Sequence, residues 1–490
     1  MTSRGFVAAG HPLTAEAGAR VLSEGGNAVD AAIAAMLTSW TAEPLLSGPG
    51  AGGYMLVAGA GEEPVLLDFF IEAPGRGADP ASRCDLIECE VSFGDANQVF
   101  HAGAAACGAY GNPAGICEAS RRWGSVPLAE LAAPAAALAR EGVELNAQQA
   151  FVVELLEPIL RSSPECSELY APGGELLRSG DVFRHTELGD AIALLGAEGE
   201  RPFYEGEVAR AIVGWLSDRG GTLTLEDLHA YAPVARDPMR ASYRGRDILT
   251  NPPPNAGGIL LALALQRLDA ATGPPSLREI VGVMEEVQAH RTPEFTNGLA
   301  DPAYVGDFLA VHLGNTTHIS VVDGEGRAAS VTCTNGEGSG MVVPGTGVHV
   351  NNIMGEEDLS PAGFHLAAPG TRMPSMMAPT VVLRDGDVEL VVGSAGSNRI
   401  RSAILQVVVG VVDHGRAAEE AIVAPRVHFE DGVVYAEPGV PVEELDGYEL
   451  VRFRDLNLFF GGAQAIERDL ATGALSGAGD PRRGGAAVAA

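Results

Sequence analysis

The sequence feature that most constrains the fold is an alternating apolar stretch, 319–323, headed by the polar residues 316–318. Such alternation is typical of a β-strand that lies in a sheet. A second short strand is predicted over 328–334, and the glycine-containing triplet 324–326 supplies the hairpin turn between the two. A hydroxyl side chain at a strand head, after the flexible pair 314–315, is a candidate reactive group. β-Propensity alone also explains two threonines there.

Length and composition indicate a globular protein with a large core. The 490 residues are 46% hydrophobic and 20% charged, without the bias of a disordered chain. The net charge of −32 argues against nucleic acid or an anionic membrane as a partner, because phosphate binding needs a basic surface. No stretch approaches the ~20 apolar residues of a membrane span, and the N-terminus lacks the apolar core of a signal peptide. We therefore expect a cytoplasmic protein.

No sequence motif calls for a metal or a cofactor. The six cysteines form no C-x-x-C pair, and the histidines have no metal-binding spacing. Four of the cysteines lie between residues 84 and 117, which leaves one local disulfide open. The glycine loop over 47–53 contains G-x-G-x-x-G, but a helix precedes it and a strand follows it, the reverse of a dinucleotide site. A tight turn into a central strand is the better interpretation.

Periodicity and turn residues divide the chain into helices, then strands, then helices again. Helices are predicted over residues 13–24, 27–40, 127–141, 148–162, 186–196, 205–219, 257–268, 276–290, 398–413 and 416–423. Strands are predicted over residues 54–57, 65–70, 318–323, 328–334, 347–351, 378–384 and 388–393. Asn27 is the predicted N-cap of the second helix. Residues 76–118 are expected to form an irregular covering loop, and 472–490 a Gly/Ala-rich tail. This order is compatible with stacked sheets covered by helices, among other α+β arrangements.

A series of sequence blocks, taken together and in order, resembles the γ-glutamyltransferase (glutathione hydrolase) family. The blocks are Gly25–Ala32; Glu43-Pro44 with the glycine run that ends at Gly53; Thr316–Asp323; Gly338–Gly340 with Val343–Gly347; Asn351-Asn352; Met377–Thr380; and Gly393–Ile400. Each block is weak alone, but the ordered series is specific to the family.

The resemblance implies an N-terminal nucleophile (Ntn) hydrolase, which is a four-layer αββα sandwich of the α+β class made as a precursor that cuts itself. By analogy the cut lies between Asn315 and Thr316. It would give a large subunit, 1–315, and a small subunit, 316–490, which stay intertwined as one globular domain. The implied substrate is a γ-glutamyl amide such as glutathione, and the implied chemistry uses no cofactor.

The residues around the implied cut agree with this chemistry. Threonine is a weak nucleophile at neutral pH and needs an adjacent base. Once Thr316 is N-terminal, its own α-amine, with a reference pKa of about 7.7–8.0, can take the hydroxyl proton. Thr334 matches the family's second threonine, which hydrogen-bonds the nucleophile. Gly396 and Ser397 match the family's Gly-Gly pair, whose N–H groups form the oxyanion hole. The serine requires a backbone that avoids a positive φ.

The residues on the carboxylate side of the substrate depart from the family. Where the family has an arginine that binds the α-carboxylate, this chain has Asp79. We expect the nearby Arg76 to substitute for it. The family's serine pair becomes Ser375-Met376, so only one of its hydroxyls remains.

The residues on the α-amino side are also altered. The family's asparagine matches Gly336 or, with a slip of one residue, Asn335. Its glutamine matches Ile353, and its aspartate matches Glu356. The nucleophile is therefore retained, whereas the groups that bind the free amino-acid end are largely rewritten.

Three functions are open at this stage. The leading one is a self-processing Thr amidohydrolase or acyltransferase that acts on γ-glutamyl amides. Hydrolysis is favoured over transpeptidation, because segment 358–372 is short and the active-site lid of some members is missing. The second is an acylase of the same fold that acts on a dicarboxylate-type amide. The third is an unprocessed, non-catalytic binding homologue, against which the joint retention of Asn315, Thr316, Thr334 and Gly396 argues.

Overall fold

Two stacked β-sheets lie between layers of helices in the computed structural model, which describes residues 4–92, 97–289, 316–360 and 363–490. The strands are β1 Gly5–Ala9, β2 Gly52–Gly59, β3 Glu62–Phe69, β4 Ile87–Ser92, β5 Asn97–Ala102, β6 Val143–Glu144, β7 Val182–Phe183, β8 Val234–Arg236, β9 Met239–Tyr243, β10 Arg246–Thr250, β11 Thr317–Asp323, β12 Arg327–Thr334, β13 Val342–Val343, β14 Val348–His349, β15 Thr380–Arg384, β16 Asp387–Ala395, β17 Val427–Glu430, β18 Val433–Ala436, β19 Glu449–Arg452, β20 Gly462–Arg468, β21 Leu475–Gly479 and β22 Ala486–Ala489. The α-helices are α1 Pro12–Glu24, α2 Ala28–Ala42, α3 Asn112–Trp123, α4 Leu128–Glu141, α5 Ala147–Leu155, α6 Glu157–Leu160, α7 Pro164–Tyr170, α8 Thr186–Glu198, α9 Arg201–Tyr204, α10 Glu207–Ser217, α11 Leu225–Ala230, α12 Ala256–Asp269, α13 Leu277–Ala289, α14 Arg399–Val412 and α15 Ala418–Val423.

Both large sheets combine strands that precede residue 316 with strands that follow it. The first has the order β22-β1-β11-β12-β2-β3-β8, and the second has the order β21-β20-β16-β15-β10-β9. Neighbouring strands are antiparallel throughout both sheets. Strand β11 lies between β1 and β12 in the first sheet, and both β11 and β12 face β16 of the second. The segments before and after residue 316 therefore share each sheet.

Helices cover the outer face of each sheet and complete four layers. Helices α1, α2 and α3 pack on the first sheet, and α12, α14 and α15 pack on the second. Every residue of α2 is buried, because its alanines allow the helix backbone to approach the strands closely. The predicted N-cap is confirmed: the Asn27 side chain accepts from the N–H groups of Val29 and Asp30, and the Asp30 carboxylate accepts from the N–H of Asn27.

Most of the predicted helices and strands are confirmed to within a few residues at each end. The exception among the helices is the one predicted over 148–162, which is divided into α5 and α6. The break falls at Leu156, two residues before Pro158, whose ring nitrogen has no hydrogen to donate to the preceding turn.

One expectation about an irregular segment is wrong, and a second segment, noted only for its Gly/Ala-rich composition, contains strands. The expected covering loop over 76–118 contains the antiparallel pair β4 and β5 and the first half of α3. The Gly/Ala-rich tail over 472–490 contains β21 and β22, which form an outer strand of each large sheet. These strands form because β20 and β1 supply paired backbone partners, which outweighs the low strand propensity of glycine and alanine.

The structure also answers the open question about the cysteines. All six cysteines are free thiols, so no local disulfide forms between residues 84 and 117.

None of the helices in the described ranges has the length and apolar character needed to cross a lipid bilayer.

A buried ionic cluster fixes the C-terminal segment to the second sheet and its covering helices. Arg426 pairs with Asp480 at 2.7 Å, and Arg482 pairs with Asp480 at 3.2 Å and with Glu437. Asp480 also accepts the N–H of Ala463, at the start of β20, at 2.9 Å. Each charge in the cluster therefore has a partner of opposite sign.

We predict that Arg482→Met lowers the free energy of unfolding by ~3–5 kcal/mol, because it leaves buried carboxylates without their partner. Arg178→Met is the matched control, since the Arg178 side chain is 78% exposed and pairs only with the exposed Glu175. Urea unfolding of both variants and the wild type measures the difference. Equal destabilisation by the two substitutions would contradict the structural role of the cluster.

Candidate active site

Thr316 lies at the head of β11, directly beside the end of β12. Thr317 pairs with Cys333, so the next residues along the two strands, Thr316 and Thr334, are neighbours at the same end of the sheet. Both side chains are buried. The Thr334 hydroxyl oxygen accepts the N–H of Gly336 at 2.9 Å, which fixes its orientation. The two threonines that the sequence singled out are therefore brought together.

A cavity of about 270 Å³ opens beside the two threonines. Its polar lining residues are Thr316, Thr334, Glu356, Ser375 and Ser397. Its apolar lining residues are Phe70, Ile353, Leu359, Met376, Met377 and Ile400. Among the described residues that line it there is no arginine, lysine or histidine. We call this space the acyl cavity.

The turn between β16 and α14 presents backbone donors near the acyl cavity. No hydrogen bond within the described ranges uses the N–H of Gly396 or Ser397. The carbonyls of the same two residues accept the N–H groups of Arg399 and Ile400, at 3.1 and 2.9 Å, and so start the helix. Free N–H groups at the start of a helix favour an anion, as an oxyanion hole requires.

The expectation that Ser397 avoids a positive φ is wrong. Its φ is +63°, and that of Gly396 is +108°. A left-handed conformation costs a non-glycine residue roughly 1–2 kcal/mol. The turn retains this conformation because the following helix fixes the carbonyls of both residues. The Ser397 hydroxyl is buried and has no hydrogen-bond partner among the described residues.

Glu356 and Glu337 carry two buried carboxyl groups that lie close to each other. The Glu356 Oε1 atom has no hydrogen-bond partner in the described part of the chain. Glu337 accepts from the Asn352 amide at 3.2 Å. Burial, and then the charge of Glu337, raise the pKa of Glu356 well above its usual value. Because burial opposes a charge on Glu356, this carboxyl favours a bound group that carries a positive charge or donates hydrogen bonds.

Ser375 is oriented toward the acyl cavity by its neighbours. Its hydroxyl oxygen accepts the N–H of Met377 at 3.0 Å, and its carbonyl accepts the N–H groups of Ala256 and Gly257 at the start of α12. Met376, which follows it, adds an apolar side chain to the lining.

The other predicted site residues that the structure describes, which are Asn335, Arg76 and Gly396, do not line the acyl cavity. The Asn335 amide donates to the carbonyl of His349 at 3.4 Å, away from it. Arg76 is not among the residues that line the cavity, and its guanidinium lies 3.5 Å from each of the carboxylates of Glu72 and Asp227. Gly396 contributes only its backbone to the site, as part of the turn between β16 and α14. Asn315, the predicted residue before the cut, lies outside the described residues.

Two residues near Thr316 were missed by the sequence reasoning. Glu43, which the sequence offered only as part of a block, accepts from the hydroxyls of Thr317 at 2.7 Å and Thr14 at 3.0 Å. Arg483 donates to the carbonyl of Thr316 at 3.5 Å. No sequence signal marked Arg483, since it lies in the segment taken as a tail.

The arrangement supplies the parts of an acyl-transfer site. Thr316 offers a hydroxyl, Thr334 a hydrogen-bonding neighbour, and the turn at 396–397 offers donors for a developing oxyanion. In the described ranges, no group of three or more His, Cys, Asp or Glu side chains is placed to hold a metal ion.

Comparisons with known proteins give one consistent family. The model of a family described as Gamma-glutamyltranspeptidase matches residues 14–306 and 283–490. The chain is 32% identical to the Acylase ACY 1 proenzyme of Pseudomonas sp. (strain V22), over 90% of this chain and 85% of that one. It is 30% identical to the Glutathione hydrolase proenzyme of Bacillus subtilis (strain 168), over 99% of this chain and 91% of that one.

A solved structure has the same architecture. The cephalosporin acylase from Bacillus halodurans superposes with a TM-score of 0.85 at 26% identity, covering 99% of this chain and 96% of that one. The predicted α+β fold of the Ntn-hydrolase type is thereby confirmed.

We predict that Glu356→Gln reduces the loss of stability that accompanies rising pH. The folded chain holds the Glu356 proton to a higher pH than the unfolded chain, whose glutamate pKa is about 4.3, so folding is opposed increasingly above that pH. Glutamine has no proton to lose, so the variant lacks this slope. Free energies of unfolding from urea titrations at pH values between about 5 and 8 measure it. Glu357→Gln, at the exposed adjacent position, is the control. The same slope in Glu356→Gln and wild type would contradict the prediction.

Proposed function

The chain belongs to the gamma-glutamyltranspeptidase family, and on this premise we propose that it is a self-processing amidohydrolase whose nucleophile is Thr316. The observation that carries the proposal is that Thr316, Thr334, Ser375, Ser397 and Glu356 share one cavity. The names of its relatives support processing, since both are called proenzymes.

Self-cleavage would divide the chain into residues 1–315 and 316–490. The Thr316 hydroxyl oxygen attacks the carbonyl carbon of Asn315. The peptide C–N bond breaks as its nitrogen takes a proton, which leaves an ester between the two residues and a free α-amine on Thr316. Water then hydrolyses the ester, giving the Asn315 carboxylate and restoring the hydroxyl. The shared sheets explain how the two subunits would remain together after the cut.

In turnover the same hydroxyl attacks the carbonyl carbon of a substrate amide. The α-amine of Thr316 accepts the hydroxyl proton and then gives it to the departing amine. Thr334 positions the nucleophile, and the N–H groups of Gly396 and Ser397 stabilise the oxyanion. Attack of water on the acyl-enzyme completes hydrolysis. We propose that water is favoured over an amine acceptor.

We propose γ-glutamyl amides, such as glutathione, as the first candidate substrates. Glu356 supports this choice, because its carboxyl can receive the α-amino group of a γ-glutamyl chain at the far end of the acyl cavity. Ser375 offers a hydroxyl for the α-carboxylate.

A second candidate is an acylase acting on a different amide, for instance one with a dicarboxylate side chain. The similarity to the Acylase ACY 1 proenzyme and to the cephalosporin acylase supports it as strongly as the glutathione hydrolase supports the first. Arg76 contacts Asp227 and does not line the cavity, whereas Met376 adds an apolar side chain to it. Both features also favour an acyl group other than γ-glutamyl.

Thr316→Ala is expected to abolish self-cleavage and leave one chain on a denaturing gel. Since the sequence contains no lysine, an amine-reactive dye labels only chain N-termini, and the small fragment is labelled only when the Thr316 α-amine is free. Mass spectrometry of that fragment fixes its first residue. Thr346→Ala, a buried threonine outside the cavity, serves as the control and should be processed normally. A wild-type chain that stays intact and unlabelled at position 316 would favour the non-catalytic binding homologue.

The acyl group is tested with γ-glutamyl-4-nitroanilide and glutaryl-4-nitroanilide, which share the terminal carboxylate and differ only by the α-amino group. We expect faster cleavage of the γ-glutamyl compound, and we expect Glu356→Gln to lower the ratio of the two kcat/KM values about tenfold or more, because a charged hydrogen bond is lost. Glu357→Gln should leave the ratio unchanged. Preference of the wild type for the glutaryl compound would select the acylase function.

A further inference from the structure

A second cavity, of about 310 Å³, lies between helices α12, α13 and α14 and strand β17. It shares no described lining residue with the acyl cavity. Its polar lining residues are Gln288, Arg401 and Ser402. Its apolar lining residues are Leu260, Leu261, Ala264, Met284, Val287, Leu405 and Phe429. We call it the Arg401 cavity. Small-molecule sites are mostly apolar spaces of about 300–1,000 Å³ with a few polar groups, and this cavity has that character.

The Arg401 side chain is buried at the wall of this cavity. Only 8% of the residue is exposed, and none of the ion pairs in the described ranges includes it. Its Nε atom has no hydrogen-bond partner among the described residues. Burial lowers the pKa of Arg401 to about 10, so the guanidinium is still charged at neutral pH. A buried charge of this kind is costly to a folded chain, and a ligand of opposite charge would stabilise it.

The titratable groups around Arg401 do not neutralise it. Glu430 raises the pKa of Arg401 through its charge, although the two form no ion pair. The Glu430 carboxylate already accepts from the Asn398 amide and also attracts the buried Arg399. His428 is neutral at neutral pH, because burial lowers its pKa. Glu430 therefore acts on two buried arginines and cannot compensate both.

The first turn of α14 contributes to both cavities. Ile400 lines the acyl cavity, whereas Arg401 and Ser402 line the Arg401 cavity. The N–H groups of Arg399 and Ile400 donate to the carbonyls of the turn at 396–397. A ligand held by Arg401 would therefore contact the helix turn that fixes residues 396–397, and it would leave the acyl cavity free.

We propose that the Arg401 cavity is a binding site for a small carboxylate with an apolar body, such as a medium-chain fatty acid. The carboxylate pairs with the Arg401 guanidinium, and the apolar walls hold the hydrocarbon chain. This site is independent of the proposed function, because no step of the proposed reaction uses a residue that lines it.

Calorimetry with octanoate tests the site, with octanamide and acetate as matched probes. Octanamide keeps the apolar chain without the charge, and acetate keeps the charge without the chain. The wild type should bind octanoate about tenfold or more tightly than either probe, because binding needs both the charged contact and the apolar burial. Equal affinity for octanoate and octanamide would overturn the proposal.

Substitutions of arginine identify the group that binds the carboxylate. Arg401→Met should weaken octanoate binding about tenfold or more, whereas Arg401→Lys should keep most of the affinity because it keeps the charge. Arg483→Met is the control, since Arg483 does not line the Arg401 cavity, and it should leave the affinity unchanged. Loss of binding in Arg483→Met but not in Arg401→Met would overturn the proposal.

A second variant covers the case in which Arg401→Met does not fold. Ala264→Phe adds a ring at the wall of the cavity and leaves Arg401 in place, so it should abolish octanoate binding. Octanoate should also raise the midpoint of thermal unfolding of the wild type and leave that of Ala264→Phe unchanged. Wild-type affinity in a folded Ala264→Phe variant would overturn the site. None of these measurements depends on amidase activity, so a lack of activity would contradict only the proposed function.

Discussion

The contact between His318 and Gly393 sets the spacing of the two sheets at the site. The His318 ring is buried, and its nitrogens contact the hydroxyls of Thr332 at 2.8 Å and Ser320 at 2.9 Å. A Cβ on Gly393 would lie 2.2 Å from the ring, so only glycine fits opposite it. Burial lowers the pKa of His318 to about 3, so the ring is neutral and a charge between the sheets is avoided. The separation of β11 and β16, which adjoin Thr316 and the turn at 396–397, depends on this contact.

The charged groups near the side chain of Thr316 differ from those near its backbone carbonyl. The acyl cavity on one side is lined by the Glu356 carboxyl, whose pKa burial raises, and by no cationic residue among those described. The other side holds Arg483, which forms no ion pair with any residue in the described part of the chain. Burial and the charge of Arg399 lower the pKa of Arg483 to about 10, which leaves it protonated at neutral pH. A substrate lying across Thr316 would thus meet opposite electrostatic preferences at its two ends.

Local sequence patterns predicted the parts of the fold whose stability is local. The alternation over 319–323 and the small residues of 28–42 predicted β11 and α2, and every residue of both elements is buried. The short tail strands β21 and β22 could not be predicted from their own residues, since β21 depends on pairing with β20, and β22 depends on pairing with β1 at the other end of the described chain.

The candidate site, like the fold, was predicted only in part from the sequence. Thr316, Thr334, Ser375, Ser397 and Glu356 were named from blocks of sequence and meet in one cavity. Arg76 was placed by its distance along the chain, but the carboxylates of Glu72 and Asp227 decide where its side chain lies. The left-handed backbone of Ser397 and the contact of Arg483 with Thr316 depend on tertiary packing, which residue order does not encode locally.

The ends of the described chain lie next to each other on the first sheet. The N–H of Arg4 donates to the carbonyl of Ala490 at 3.1 Å, and the N–H of Ala490 donates to the carbonyl of Gly5 at 3.0 Å. A short linker could join these ends, so that a circularly permuted chain would run from residue 316 to 490 and then from 4 to 315. In that chain Thr316 would follow only the initiator methionine. An aminopeptidase, instead of an internal cut, would then release the α-amine, and maturation would become separable from catalysis.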